Sequence, residues 1–138
     1  MTFRTPDTPL TLREHNRMAK QAPHFTGVVD FRFKMNQGID VASANSLELG
    51  YDGNVFEITG TTQVNAIYTT GWQNGSVVVL LFTANPTVKH NTAGATGTGV
   101  MLLLGAGDFS STSNDSLTLV LSEVGGTQAW REVSRSVN

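Results

Sequence analysis

The residues with the reach to do chemistry are three histidines, eleven carboxylates, one glycine-rich stretch and a handful of tyrosines and tryptophans. His15, His24 and His90 stand in three different contexts, and no H-x-H or H-x3-H spacing joins any two of them, so no metal site is expected. A serine hydrolase presents its nucleophile on a G-x-S-x-G elbow, and none occurs. Gly94-Ala95-Thr96-Gly97-Thr98-Gly99 is rich in glycine, but no lysine follows it and its order departs from the dinucleotide fingerprint. It reads as a loop. A glycosidase needs two carboxylates held across a cleft. Glu48, Asp52, Glu57, Asp108, Asp115, Glu123 and Glu132 offer no pair set apart by an apolar surround. Asp52 and Asp115 fall in turn-like contexts, where aspartate commonly accepts from nearby backbone amides. The absence of cysteine excludes disulfides and thiolate chemistry. These residues describe a protein that is not an enzyme and needs no cofactor.

Tyr51, Tyr68, Trp72 and Trp130 could stack on sugar rings, though each also suits a β core or a subunit interface. Asn74-Gly75-Ser76 and Asn114-Asp115-Ser116 match glycosylation sequons, which carry no weight without a secretory signal, and residues 1–24 lack an apolar leader segment.

Composition narrows the class. Charged residues make up 14% of the chain, against roughly 25% in an ordinary soluble domain. Ser, Thr, Asn and Gly fill the gap. Such a surface suits a protein that hides area in subunit contacts. The net charge is −2 and unevenly spread. Residues 1–40 hold six Lys/Arg and four Asp/Glu; the remainder holds three and seven. There is no basic footprint for nucleic acid, and no apolar stretch long enough to cross a membrane as a helix.

The elements follow from periodicity. Residues 1–26 read as an arm and short helix, 27–138 as a β domain. Thr11-Leu12-Arg13-Glu14 fits a capping box. A helix over about 11–21 follows and stops before Pro23. Its thin apolar stripe (Leu12, Met18, Ala19, Ala22) makes it marginal alone, so it is expected to dock. Val29, Phe31 and Phe33 alternate with polar residues as a strand, and so do Leu47 and Leu49. Strands are also expected at 55–59, 64–68, 117–122 and 129–133, with turns at Tyr51 to Asn54, at Asn74-Gly75 and at Gly125-Gly126. Val77 to Phe82 and Val100 to Leu104 are unbroken apolar runs, and Asn85 to Gly99 between them reads as a loop.

The result is an all-β protein, an antiparallel sandwich or jelly-roll, or an intertwined β domain. A lone sandwich leaves one face wet, whereas the two apolar runs need cover on both sides. Packing around a symmetry axis supplies that cover. With lysine only at positions 20, 34 and 89, little blunts the strand edges. An intertwined homotrimer is the expected assembly, with Val77, Val79, Leu81, Val100, Leu102 and Leu104 at its interface.

A family likeness runs through the β region. Ala44-Asn45-Ser46-Leu47-Glu48-Leu49, Asp52-Gly53-Asn54-Val55-Phe56 and Ile58-Thr59-Gly60-Thr61-Thr62 open an ordered set. It continues through Gly71-Trp72, Gly75-Ser76-Val77-Val78-Val79-Leu80-Leu81-Phe82, His90-Asn91, Gly107-Asp108 and Trp130. The set covers about residues 43–133 and resembles a β-module recurrent in tailed-phage virion proteins. The resemblance implies a tail fibre, head fibre or capsid decoration protein, generally trimeric, with a scaffolding or attachment role and no catalytic residues. Heptads and collagen-like repeats that would build a shaft are missing, which favours a capsid decoration or head-fibre protein over a tail component. On that reading the protein belongs to the virion, assembled in the host cytoplasm. The arm, with Arg4, Arg13, Arg17 and Lys20, meets an acidic surface of the major capsid protein or another virion protein. The alternative is a tail-tip adhesin, in which Trp72, Tyr68 or the 85–99 loop binds a host glycan or surface protein.

Overall fold

The structure, a computed structural model, describes residues 34–138. The expected arm and helix, the strand through Val29, Phe31 and Phe33, and the cations Arg4, Arg13, Arg17 and Lys20 lie outside the described residues, as do His15 and His24.

Ten strands make up the described chain: β1 (Val41–Ala42), β2 (Ser46–Leu47), β3 (Val55–Thr59), β4 (Ala66–Tyr68), β5 (Val77–Phe82), β6 (Thr87–Val88), β7 (Thr98–Leu102), β8 (Phe109–Ser110), β9 (Ser116–Val124) and β10 (Thr127–Ser136). Eight of them form one sheet in the order β1-β3-β5-β9-β10-β7-β4-β2, while β6 and β8 pair as a small separate ribbon. The all-β reading therefore holds. Its expectation of antiparallel pairing holds only in part: β9–β10, β5–β9, β4–β7 and β6–β8 are antiparallel, but β1–β3, β3–β5, β2–β4 and β10–β7 are parallel.

The strand order explains why. The chain shuttles between two halves, laying down β1, β3 and β5 on one side and β2, β4 and β7 on the other. A chain that crosses and returns between neighbours lays them in the same direction, which gives the parallel pairs β1–β3, β3–β5 and β2–β4, whereas β7 returns antiparallel to β4. The long β9–β10 hairpin then fills the middle and joins the halves. Gly125 and Gly126 turn that hairpin with φ of 59° and 80°, the left-handed pair that matches strand twist. β1 and β2 lie at opposite edges of the order, yet only Ser43, Ala44 and Asn45 separate them. A few residues reach about 3.5 Å each, so the two edges must come close and the sheet curls on itself.

The enclosed face is the core. Period two sends Phe56 and Ile58 from β3, Val78, Leu80 and Phe82 from β5, and Leu117, Leu119 and Leu121 from β9 inward, all buried. Met101 and Trp130 complete it from β7 and β10. The β6–β8 ribbon closes one part of the core through Val88 and Phe109, whose ring meets Phe82 edge-on at 5.9 Å.

Two sequence expectations shift here. The 85–99 stretch is not all loop, since Thr87–Val88 pairs with β8 and β7 already begins at Thr98. Further on, the predicted strand 100–104 ends at Leu102. The Leu103 amide donates to His90 Nδ1 at 3.0 Å, and the Leu104 amide to Glu132 Oε2 at 2.6 Å. Side-chain acceptors thus replace the sheet ladder. Gly105, at φ 69°, turns the chain away and leaves Leu104 72% exposed.

Candidate functional site

Glu132, Asp115, Asp108 and His90 each accept hydrogen bonds that tie parts of the fold together. β10 carries a bulge between Glu132 and Ser134, and the extra residue resets the alternation. Arg135 therefore pairs opposite Leu117 on the inner side and lies 4.5 Å above the Phe109 ring. There its guanidinium forks onto Glu132, Nε to Oε1 at 2.5 Å and Nη2 to Oε2 at 2.7 Å. The Arg135 hydrogen bonds and charge, with the Leu104 amide, hold the Glu132 carboxyl below its ordinary range although burial pushes it up. Asp115 accepts from the Asn138 and Thr112 amides, each at 2.8 Å, and these hold it low as well. Asp108 is held low by the Lys89 ammonium and by the His90 amide.

These depressed carboxyls set a sign. A carboxyl with a lower pKa folded than unfolded contributes stability above its unfolded value, and that contribution is lost as pH falls through the folded one. The described domain should therefore be constant in stability near neutrality and lose it steadily below about pH 4.5. Glu132→Gln, which removes the charge but keeps an acceptor, should lower stability at pH 7 by about 1–3 kcal/mol. It should also flatten the acid limb of a urea-midpoint against pH curve. An acid limb identical to wild type would remove Glu132 from this account.

His90 accepts the Leu103 amide through Nδ1, which requires that nitrogen to be unprotonated. It acts as a chain-turning acceptor. Among the described residues no group of three or more His, Asp or Glu side chains gathers as a metal site would.

The four aromatics part company. Trp130 is fully buried and donates through Nε1 to the Ile67 carbonyl at 3.1 Å, so it is core. Tyr68 is half-buried beside Gly97. Trp72 is half-buried and wedged edge-on against Phe56 at 6.4 Å and Trp130 at 6.0 Å. Tyr51 is 75% exposed. Trp72 and Tyr51 line one pocket, together with Asp52, Asn36 and Asn54. The 85–99 stretch lies apart from this pocket, and its far end folds over the sheet. A Cβ on Gly94 would meet Ser46 Oγ and the Ala66 Cβ within 3 Å, and the Ala95 amide donates to Ser46 Oγ at 2.8 Å.

The other functional candidate is the outer face of the sheet. Registers place Val55 beside Val79, Glu57 beside Leu81, and Val77 beside Val120, with Arg131 and Leu102 continuing that last row. Val55, Val79, Leu81, Val100, Leu102 and Val120 are half-buried, and Val77 is exposed. An aliphatic band thus crosses β3, β5 and β9 on the side facing away from the core, broken by the polar Thr118 and Ser116. The segment around Gly94 covers the outer face over β2 and β4 but leaves this band uncovered. The six residues expected at an interface all lie outward, five on strands and Leu104 on the turn beyond β7. Val124 and Val133, the latter at the β10 bulge, add two more exposed aliphatics.

No family model matches the chain, and neither the curated proteins nor the solved structures yield a match.

Proposed function

We propose that this protein is a non-enzymatic structural component of a tailed-phage particle, a capsid decoration or head-fibre protein that works as a homotrimer. The observation carrying the proposal is the outer aliphatic band on β3, β5 and β9. A chain with so little charge normally has none to spare for leaving valines and leucines half-covered on its central strands. Copies of the chain packed around an axis bury that band, each presenting it to its neighbours. The sequence likeness to phage virion modules supplies the setting. Residues 1–26, with Arg4, Arg13, Arg17 and Lys20, supply the anchor to an acidic surface of the shell. A subunit that binds only the assembled shell shifts the equilibrium toward it.

Two measurements test this. Light scattering of the full chain should give about three times the 14.8 kDa chain mass; a single-chain mass at micromolar concentration ends the oligomer proposal. A chain lacking residues 1–22 should keep that mass but no longer co-sediment with purified particles. Undiminished decoration by the truncated protein would rule out the arm as anchor.

A further inference from the structure

We propose that the pocket between Tyr51 and Trp72 is a binding site for a neutral pyranose. This inference does not rest on the oligomer or on the particle. It starts from Tyr51, a large ring left 75% exposed on the turn between β2 and β3. An exposed tyrosine alone is ordinary. This one is pinned. Gly71 has φ 83°, and a Cβ there would lie 2.4 Å from Tyr51 Cε1, so the ring rests against bare backbone. Next to it, Trp72 is fixed from behind by Phe56 and Trp130 and from its own backbone by a 3.0 Å bond to the Thr69 carbonyl. Two aromatics held by their surroundings form the wall of a pocket of about 310 Å³, the small end of the range for ligand sites.

The polar groups are fixed too. The Asp52 carboxylate accepts the Ile39 amide at 2.8 Å through Oδ2 and fits between Gly38 and Gly50, where a Cβ on either would collide with its Oδ1. Asn54 is held by Nδ2 donating to the Val77 carbonyl at 3.0 Å. Asn36 also lines the pocket, its backbone carbonyl accepting the Asn54 and Val55 amides at 2.8 and 3.1 Å. An aromatic wall against the apolar face of a sugar ring, with a carboxylate and amides for its hydroxyls, is the chemistry saccharides require. Groups ordered before the ligand arrives lower the cost of binding it.

The lining also sets limits. Among the described residues it carries one carboxylate and no cation, which disfavours acidic sugars and phosphates. A single acid lacks the partner that glycoside cleavage needs, so the site holds its ligand without cutting it. A quaternary ammonium would also suit two aromatics and a carboxylate. It would leave both asparagine amides without hydroxyls to bind, so the pyranose is the better occupant.

The test is a ¹H–¹⁵N titration of the full chain with four probes taken separately: methyl α-D-glucopyranoside, methyl β-D-galactopyranoside, methyl α-D-mannopyranoside and N-acetylglucosamine. At least one should move the Trp72 indole signal and the amides of residues 50–54, with Kd in the millimolar range. Tyr51→Ala, at an exposed position, should keep the fold and weaken binding by about tenfold. Gly71→Ala should weaken it likewise, by pushing the Tyr51 ring away without removing it. Silence from all four sugars would overturn the site, as would an affinity unchanged in Tyr51→Ala. Tetramethylammonium is titrated in parallel, and shifts with it alone would replace the sugar by a cation.

Discussion

Trp130→Ala should lower the stability of the β domain by about 3–5 kcal/mol through lost packing alone, which is a large part of the 5–15 kcal/mol typical of a whole domain. Trp130 is the largest of the fully buried side chains. It sits where the two halves of the sheet meet, opposite Leu121 on β9 and Met101 on β7, with Trp72 edge-on to it. Its indole also donates to the Ile67 carbonyl on β4, so alanine leaves a void and removes that hydrogen bond, the latter worth about 0.5–1.5 kcal/mol more. Gly99 shows how closely the site is filled: a Cβ there would come within 3.3 Å of the Trp130 ring. Urea unfolding followed by circular dichroism reads the loss. Trp130→Phe keeps most of the volume but not the donor, and should fall between wild type and alanine. A loss under about 1 kcal/mol for alanine would mean that the halves are joined elsewhere.

Period-two alternation made the strand positions legible. Val55–Thr59 lies where the alternation places a strand, Ser116–Val124 extends the expected 117–122, Val77–Phe82 lies where the apolar run does, and the paired glycines at 125 and 126 turn the hairpin as expected. Even the parity of the apolar runs could be read, because Val78, Leu80 and Phe82 turn inward while Val77, Val79 and Leu81 turn outward. Alternation says which face a residue takes but not which strand lies beside it. The parallel pairs were therefore hidden, as was the shuttling that makes them. β1 is two residues long, too short for any period, and β2 ends sooner than the alternation through Leu47 and Leu49 implies, although they are the edges that curl together.

The site was legible only in pieces. Asp115 stood out as a turn aspartate, and it does cap the Thr112 amide nearby in sequence. Asp52 carried the same signal but bonds Ile39, thirteen residues away, so its real task of joining two loops was out of reach. Trp72 and Tyr51 were both noted as ring-stacking residues, yet nothing in their spacing of twenty-one positions says that they share a pocket. The glycine at 71 was the available clue, since glycine is the residue that lets another group approach the backbone closely. The Glu132–Arg135 pair was hidden by the bulge, which reverses the parity that a reader would carry along β10.

Two adjacent substitutions on β5 should behave as opposites, and the contrast tests the assembly. Val78→Asp places a carboxylate in the core at a position with no exposure, where an unpaired buried charge costs several kcal/mol. It should fail to fold. Val79→Asp points the same group outward, between Val55 on β3 and Thr118 on β9. In a lone chain that position reaches water, so the only penalty is the roughly 1 kcal/mol by which strands disfavour aspartate. The domain should keep its circular dichroism spectrum and a cooperative transition. If copies of the chain cover the band, the same carboxylate is desolvated at every subunit contact without a partner, a penalty of about 2–5 kcal/mol. That raises the dissociation constant by about 30-fold or more for each contact, and light scattering should find folded single chains. A folded Val79→Asp protein that keeps the wild-type mass would place the subunit contacts on another surface, with Leu104, Val124 and Val133 as the next residues to charge. The pairing is informative because the two positions are neighbours with the same propensity and the same strand context. Only the side of the sheet differs between them, so a difference in outcome reports what covers each side.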